Sequence, residues 1–473
     1  MMKQNNPLRR LLAALLAALT LVSFTILPVL GAAEDEAADT EAAETTEATA
    51  PKAEETKMEI ISISTEDDLI ALAASCTLDA WSREKHVVLE ADLDLTGLTF
   101  SPIATFGGTF DGQGHTIRGL AITDALSPAG LICTLQPTGR VENLHIEGSV
   151  APAGDPVSTG GLVGENYGTI ENCSFTGTVS GGWATGGLVG ENKASGVLRG
   201  CRTGGTVDGE DRTGGLVGCN LGVIEDCENA AYVNIESVDP GIDLSDLDLT
   251  FSLDLTKLSE LSTANIATDT GGVVGYNAGT ISAARNTATI GYPHIGYNTG
   301  GIVGRMDMGR GQNCENYGDV ASTDGSYVGG IAGASWGTVH SCWSKCTLSG
   351  THYIGGIAGL GSDLTECRTL VEIAEGGAYT GAVAGSIETD GTVSGNLFAS
   401  EDLAAIDGIS YAGSAEPVTL EALCLLPDVP ADFSKLTLTF TADDELVGIV
   451  SVPYGEGIDV LPELPAKEGY SAA

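Results

Sequence analysis

The sequence predicts an all-β protein, a right-handed parallel β-helix whose rungs repeat every 25–29 residues, with a short capping helix at the N-terminal end. Three observations carry this expectation. First, a Gly-Gly-apolar-apolar-Gly core recurs at Gly160–Gly164, Gly186–Gly190, Gly214–Gly218, Gly271–Gly275, Gly300–Gly304, Gly329–Gly333 and Gly355–Gly359, with a degenerate copy at Gly381–Gly385. The first glycines are 26, 28, 57, 29, 29 and 26 residues apart, and the last copy is aligned through Thr380, 25 residues on. The 57-residue gap reads as two units plus an insertion. Second, each unit continues with an apolar residue, two variable residues and a Cys or its substitute, then Val or Ile six residues later. Third, the apolar runs are short, β-branched and bounded by glycine, which favours strands over helices. No single unit can bury its apolar face alone, so stacked copies must share one core.

The chain begins with Lys3, Arg9 and Arg10, an apolar run from Leu11 to Leu30 and Gly31-Ala32-Ala33. That order describes a secretory signal peptide cleaved after Ala33, residues 1–33, leaving no transmembrane segment in the mature chain. Residues 34–57 are rich in acids, Ala and Thr and read as a disordered acidic linker. The β-helix then occupies residues 58–400. Thr65, with Asp68 three residues on, resembles a helix N-cap, and Leu69, Ile70, Leu72 and Ala73 supply an apolar face for the helix that covers the first rung. Asp111 and His115, four apart, invite an acid–base reading. A strand-turn-strand cornered by Asp111 and its glycines explains them better.

Within the repeats, Cys173, Cys201, Cys227, Cys314, Cys342 and Cys367 share one column, with Leu144, Ala284 and Asn396 standing in elsewhere. Residues three before them are Val141, Ile170, Leu198, Ile224, Ile281, Val339, Leu364 and Val393, a column broken by Gly311. Stacked neighbours have parallel side-chain directions about 4.8 Å apart, a poor geometry for disulfides, so the thiols are expected as a ladder of small buried hydrophobes. Asn166, Asn192, Asn220 and Asn277 follow the glycine core at one position and are expected to form an amide ladder. Tyr327, Tyr353 and Tyr379 precede the core by two residues in three successive rungs. They are either a platform for sugar rings or an aromatic ladder that stabilises the stack. Trp81, Trp183, Trp336 and Trp343 show no column. Cys342 and Cys346 lack the second ligand pair that a metal site needs.

Residues 234–268 interrupt the period with Asp-Leu alternation. A half-buried strand or hairpin fits that period-two pattern. Asp243, Asp246 and Asp248 are candidate Ca²⁺ ligands, although alternate aspartates also make an ordinary solvated face. Otherwise no cofactor is expected. Residues 401–434 lose the period and read as a C-terminal closure and linker, and 435–473 as a further small β module.

The leader Glu66–Leu72, the strand Asp92–Leu95, the turn Gly107–Ile117 and the Gly-Gly-Leu-Val-Gly repeats together resemble the GLUG-motif family, bacterial surface proteins with a right-handed parallel β-helix. The resemblance covers roughly residues 58–400. It implies extracellular exposure and attachment or recognition, and it supplies no catalytic residues. In some members, immunoglobulin A peptidases among them, the repeats precede a zinc protease domain. Its His-Glu-x-x-His motif is not formed by His86, His115, His145, His294, His340 or His352. Residues 435–473, with Leu436–Phe440 and Gly469-Tyr470, resemble the start of an internalin-type B repeat that stops short of that family's tryptophan.

A net charge of −43 argues against nucleic acid as a partner. The best-fitting function is a non-enzymatic, adhesin-like scaffold, secreted or at the bacterial cell surface, monomeric or part of a longer chain, contacting glycans or host or cell-surface proteins. The alternatives are a spacer for a further domain and a β-helix enzyme acting on polysaccharide.

Overall fold

Pairing between strands is parallel almost throughout and joins strands about one repeat apart in sequence. The computed structural model describes residues 58–235, 268–291, 297–374, 377–407, 413–442, 445–458 and 461. The expected cleavage site after Ala33, the linker 34–57, the alternation containing Asp243, Asp246 and Asp248, and residues 462–473 lie outside the described residues.

One coil illustrates the rest. Ser158–Gly160, Val163–Asn166, Thr169–Glu171 and Ser174–Ser180 are four consecutive strands. Each pairs with its counterpart one coil on: Gly160 with Gly186, Val163 with Val189, Ile170 with Leu198 and Val179 with Val207. The second and third strands build a 20-stranded sheet, the first and fourth a 19-stranded sheet, and together they wind a β-solenoid of about 11 turns. The expected apolar columns therefore meet their own kind. Val150, Val179, Val207, Val233, Ile290, Val320, Leu348 and Ile373 lie in one continuous register. Burying such a residue stabilises the fold by about 1.5–3 kcal/mol relative to exposure, and repetition along the axis makes the core continuous.

Register also corrects two sequence alignments. Gly214 pairs directly with Gly271 and Val217 with Val274, so the 57-residue gap holds one coil step and an excursion, not two units plus an insertion. Gly381, not Thr380, lies opposite Gly355. Where Gly311 breaks the apolar column, Met306, in register with Asn277, stands in place of the ladder asparagine. A Cβ on Gly311 would lie 4.0 Å from Met306 Cε, and Met306 is buried. The long flexible side chain fills the space that the missing one leaves, conserving core volume.

The turn between the third and fourth strands recurs in left-handed conformation. Gln113, Asn143, Asn172, Gly200, Asp226, Ala283, Asn313, Ser341, Glu366 and Gly395 all have φ between +51° and +67°. Asparagine, aspartate and glycine tolerate that region, whereas other L-residues pay roughly 1–2 kcal/mol there. Ala283 is the plainest misfit, with no polar side chain to compensate. Ala283→Asn is expected to raise stability by about 1 kcal/mol, read as a higher denaturant midpoint at unchanged slope.

Helix α1, Glu66–Ser75, carries the expected capping box, with Thr65 and Asp68 satisfying each other's backbone amides. It places Leu69, Leu72, Ala73 and Cys76 in the core of the first coils. At the other end Ala405, Ile406 and Ala415 join the same core. The chain then turns onto the outer face of the 19-stranded sheet. There Leu423 and Phe433 pack with Trp343, whose ring meets that of Phe433 edge-on at 4.7 Å. A two-stranded antiparallel hairpin follows, Lys435–Ala442 with Glu445–Pro453. No helix among the described residues is long and apolar enough to cross a membrane.

Candidate functional site

From the coil of Gly214 onward the first strand enters through a second left-handed corner, two residues before the glycine pair. Arg212, Asp269, Asn298, Tyr327, Tyr353 and Tyr379 occupy it in successive coils, with φ between +51° and +65°. The following strand folds back so closely that a Cβ on Gly359 would lie 2.6 Å from the Tyr327 carbonyl carbon. In the three tyrosine coils this tight corner turns the side chains outward, one above another. The rings of Tyr327 and Tyr353 stack at 4.9 Å and 10°, those of Tyr353 and Tyr379 at 4.8 Å and 11°. Their inner faces cover one another, so the column is an aromatic ladder. What it presents is ring edges and hydroxyls, and Tyr379 is 49% exposed.

The ladder continues toward the N-terminus in a form that column reading missed. The Arg212 guanidinium lies 4.2 Å from the Trp183 ring and 4.5 Å from that of Tyr276, between them, and Arg305 lies 5.2 Å from that of Trp336. Arg305 is held by both carboxylate oxygens of Asp307, at 3.1 and 3.0 Å. Trp336 Nε1 donates to Glu388 at 2.9 Å. Lys193 bridges Glu165 and Glu191 beneath Tyr167. Trp183 and Trp336 thus belong to one edge after all. Among the described residues, four of the five aromatic side chains that are large and well exposed (Trp183, Tyr297, Trp336 and Tyr379) lie along it. Cation–π contacts of this kind contribute roughly 0.5–2 kcal/mol each and hold the rings in fixed orientations.

Asp269 sits within this edge almost fully buried. Burial raises its carboxyl to about 6, and the charge of Asp211 adds to that. The Asn298 amide, donating at 2.6 Å, and the Arg305 and Arg212 charges pull the other way. A folded pKa above the unfolded 3.8 means that the native state binds this proton more tightly. The penalty for the ionised form is complete above pH 6 and is relieved as pH falls toward 4. Asp269→Asn keeps an acceptor for Asn298 and suits the left-handed corner. It is expected to add about 2 kcal/mol at pH 8 and nothing near pH 4, measured as denaturation midpoints at both.

The two predicted polar columns are internal. Asn166 donates to Asn192 at 2.8 Å, Asn192 to Asn220 at 2.8 Å and Asn220 to Asn277 at 2.7 Å, all buried. A second amide ladder runs Asn229 to Asn286 to Asn316, at 2.9 and 2.8 Å. Its signal was an asparagine two residues after the Cys position in three successive coils. Cys173, Cys201, Cys227, Cys314, Cys342 and Cys367 are buried and free, and the Cys201 amide donates to Cys227 Sγ at 3.4 Å. Burial pushes the Cys173 and Cys342 thiols well above their ordinary value, and a buried structural cysteine is chemically inert. Asp111 accepts from the Gln113 amide at 2.9 Å and from Asn143 at 3.1 Å, while His115 faces Asp92 at 3.1 Å. The two are turn-forming residues in separate networks.

Residues 155–180 match the model of the GLUG motif. Over 104 residues the chain is 39% identical to halomucin of Haloquadratum walsbyi, a match that takes in 21% of this chain and 1% of that protein. The chain therefore spans about a hundredth of its curated relative. Among solved structures, a candidate immunoglobulin A1 protease from Bacteroides ovatus aligns over 76% of this chain and 85% of its own, at 17% identity and a TM-score of 0.37. An IgA1 protease aligns over 78% of this chain and 24% of its own, at 13% identity and a TM-score of 0.34.

Proposed function

We propose that this chain is a non-enzymatic surface scaffold whose aromatic edge holds an extended carbohydrate polymer along the solenoid axis. One observation carries the reading: among the described residues, four of the five well-exposed aromatic side chains fall on a single edge. Exposed aromatic rows rimmed by polar groups mark interaction surfaces. The tyrosine rings recur at the coil spacing of 4.8–4.9 Å, and a linear polysaccharide presents polar groups at regular intervals that such a row can meet. Arg212, Arg305 and Trp336 add donors and apolar surface in the same line. The GLUG motif and the likeness to halomucin support placement at a cell surface. In this reading residues 1–33 direct export, 34–57 hold the rod away from its attachment, and the hairpin at 435–453 opens an internalin-type module.

A glycan array probed with the full chain tests this. Binding to at least one linear polysaccharide is expected, weakened tenfold or more by Tyr353→Ala and by Trp336→Ala. Tyr353→Phe separates hydroxyl contacts from stacking. An array without signal, or binding indifferent to both alanine variants, would refute the proposal.

A further inference from the structure

The C-terminal segment leaves a cleft of about 880 Å³ where it lies against the outer face of the 19-stranded sheet. In a chain with 21 basic and 64 acidic residues, three bases converge on it: Arg285, Lys345 and Lys435. Two of them, Arg285 and Lys435, share a single ion-pairing carboxylate. Asp432 accepts from Arg285 Nη2 and from Lys435 Nζ. The Lys345 ammonium makes no ion pair among the described residues. It donates to two main-chain carbonyls, Phe433 at 3.1 Å and Lys435. Arg285 Nε is buried with no acceptor.

Two further carboxylates border the cleft, and neither is ion-paired with these bases among the described residues. Asp319 uses Oδ1 to accept from the Thr347 amide at 2.8 Å, and Glu372 is exposed at the rim. Burial pulls the Lys345 ammonium below its ordinary value, which a nearby anion would reverse. The hairpin contributes Thr437 and Ser451 to the wall, hydroxyls suited to oxyanion contacts. The volume lies within the range of small-molecule sites, roughly 300–1,000 Å³.

We propose that this cleft binds an oxyanion group, carboxylate, sulfate or phosphate, carried on a ligand of about monosaccharide size, with Lys345 and Arg285 as its cationic contacts. The site is separate from the aromatic edge and does not depend on it. A bidentate guanidinium and a point-charge ammonium are the usual protein partners of such groups.

Calorimetric titration of the full chain with sodium sulfate, sodium phosphate and sodium galacturonate, at ionic strength held constant with NaCl, tests the proposal. Saturable binding of at least one is expected, and the tightest names the group. Lys345→Met should weaken it tenfold or more. Because that change also removes two contacts to the C-terminal segment, Thr437→Glu is the second variant. It places a carboxylate at the wall without deleting a bond and should weaken binding comparably at unchanged melting temperature. Absence of saturable heat with all three anions, or equal affinity in wild type and Thr437→Glu, would overturn the assignment.

Discussion

Gly186→Ala is expected to abolish the native stack around its coil, lowering stability by more than about 4 kcal/mol, beyond the ordinary range for one substitution. A Cβ there would stand 2.0 Å from Val189 O, 2.7 Å from the Gly218 amide nitrogen and 2.8 Å from Val217 Cα. All three are main-chain atoms of the same coil or the next, so no rotamer change relieves the clash. The two strands would have to separate, and with them the pairing of Val189 to Val217. Gly457→Ala provides the control, since nothing lies within 4 Å of its added carbon. Chemical denaturation followed by far-UV circular dichroism should show a lost or strongly displaced transition for the first variant and an unchanged one for the second.

The second large effect falls on the amide ladder. Asn220 accepts from Asn192, donates to Asn277 and accepts from the Gly222 amide at 3.2 Å. Asn220→Leu keeps the branched shape and the number of heavy atoms but leaves the Asn192 amide, the Asn277 oxygen and the Gly222 N–H short of partners inside the core. Each buried polar group so stranded costs about 1–3 kcal/mol, and the expected loss is about 3 kcal/mol. Asn277→Met should cost less, because Asn277 ends the ladder and Met306 occupies the next position in register. Denaturation midpoints of the two variants, compared with wild type, check both the size and the order.

These two sites also show why the solenoid was legible before any coordinates. Glycine at position 186 and asparagine at 220 answer constraints that recur identically in each coil, so the same letters return at a fixed period. The aromatic edge obeys no such rule. Trp183, Arg212, Tyr276, Arg305 and Trp336 differ in type and stand at four different positions of the repeat. Only the fold-back between the first and second strands brings them into contact. The three tyrosines were visible because one residue type happened to recur, but the sequence could not say that their faces pair with one another. The 57-residue gap was misjudged for a related reason: a period counts residues, whereas pairing of Gly214 with Gly271 depends on where the chain leaves and rejoins the stack. The cleft beside Lys345 was invisible because its walls come from residues 285 to 451, joined by docking of a segment without repeats.

Coils stacked in unbroken register, across that gap as well as within the uniform repeats, are the premise on which the edge and the cleft both rest. Asparagine-selective ¹⁵N labelling with side-chain NOE spectroscopy tests it most directly. The account predicts a chain of amide contacts from Asn166 to Asn192 to Asn220 to Asn277, all slow to exchange with solvent. Isolated, rapidly exchanging amides, or an Asn220 with no contact to Asn277, would contradict it.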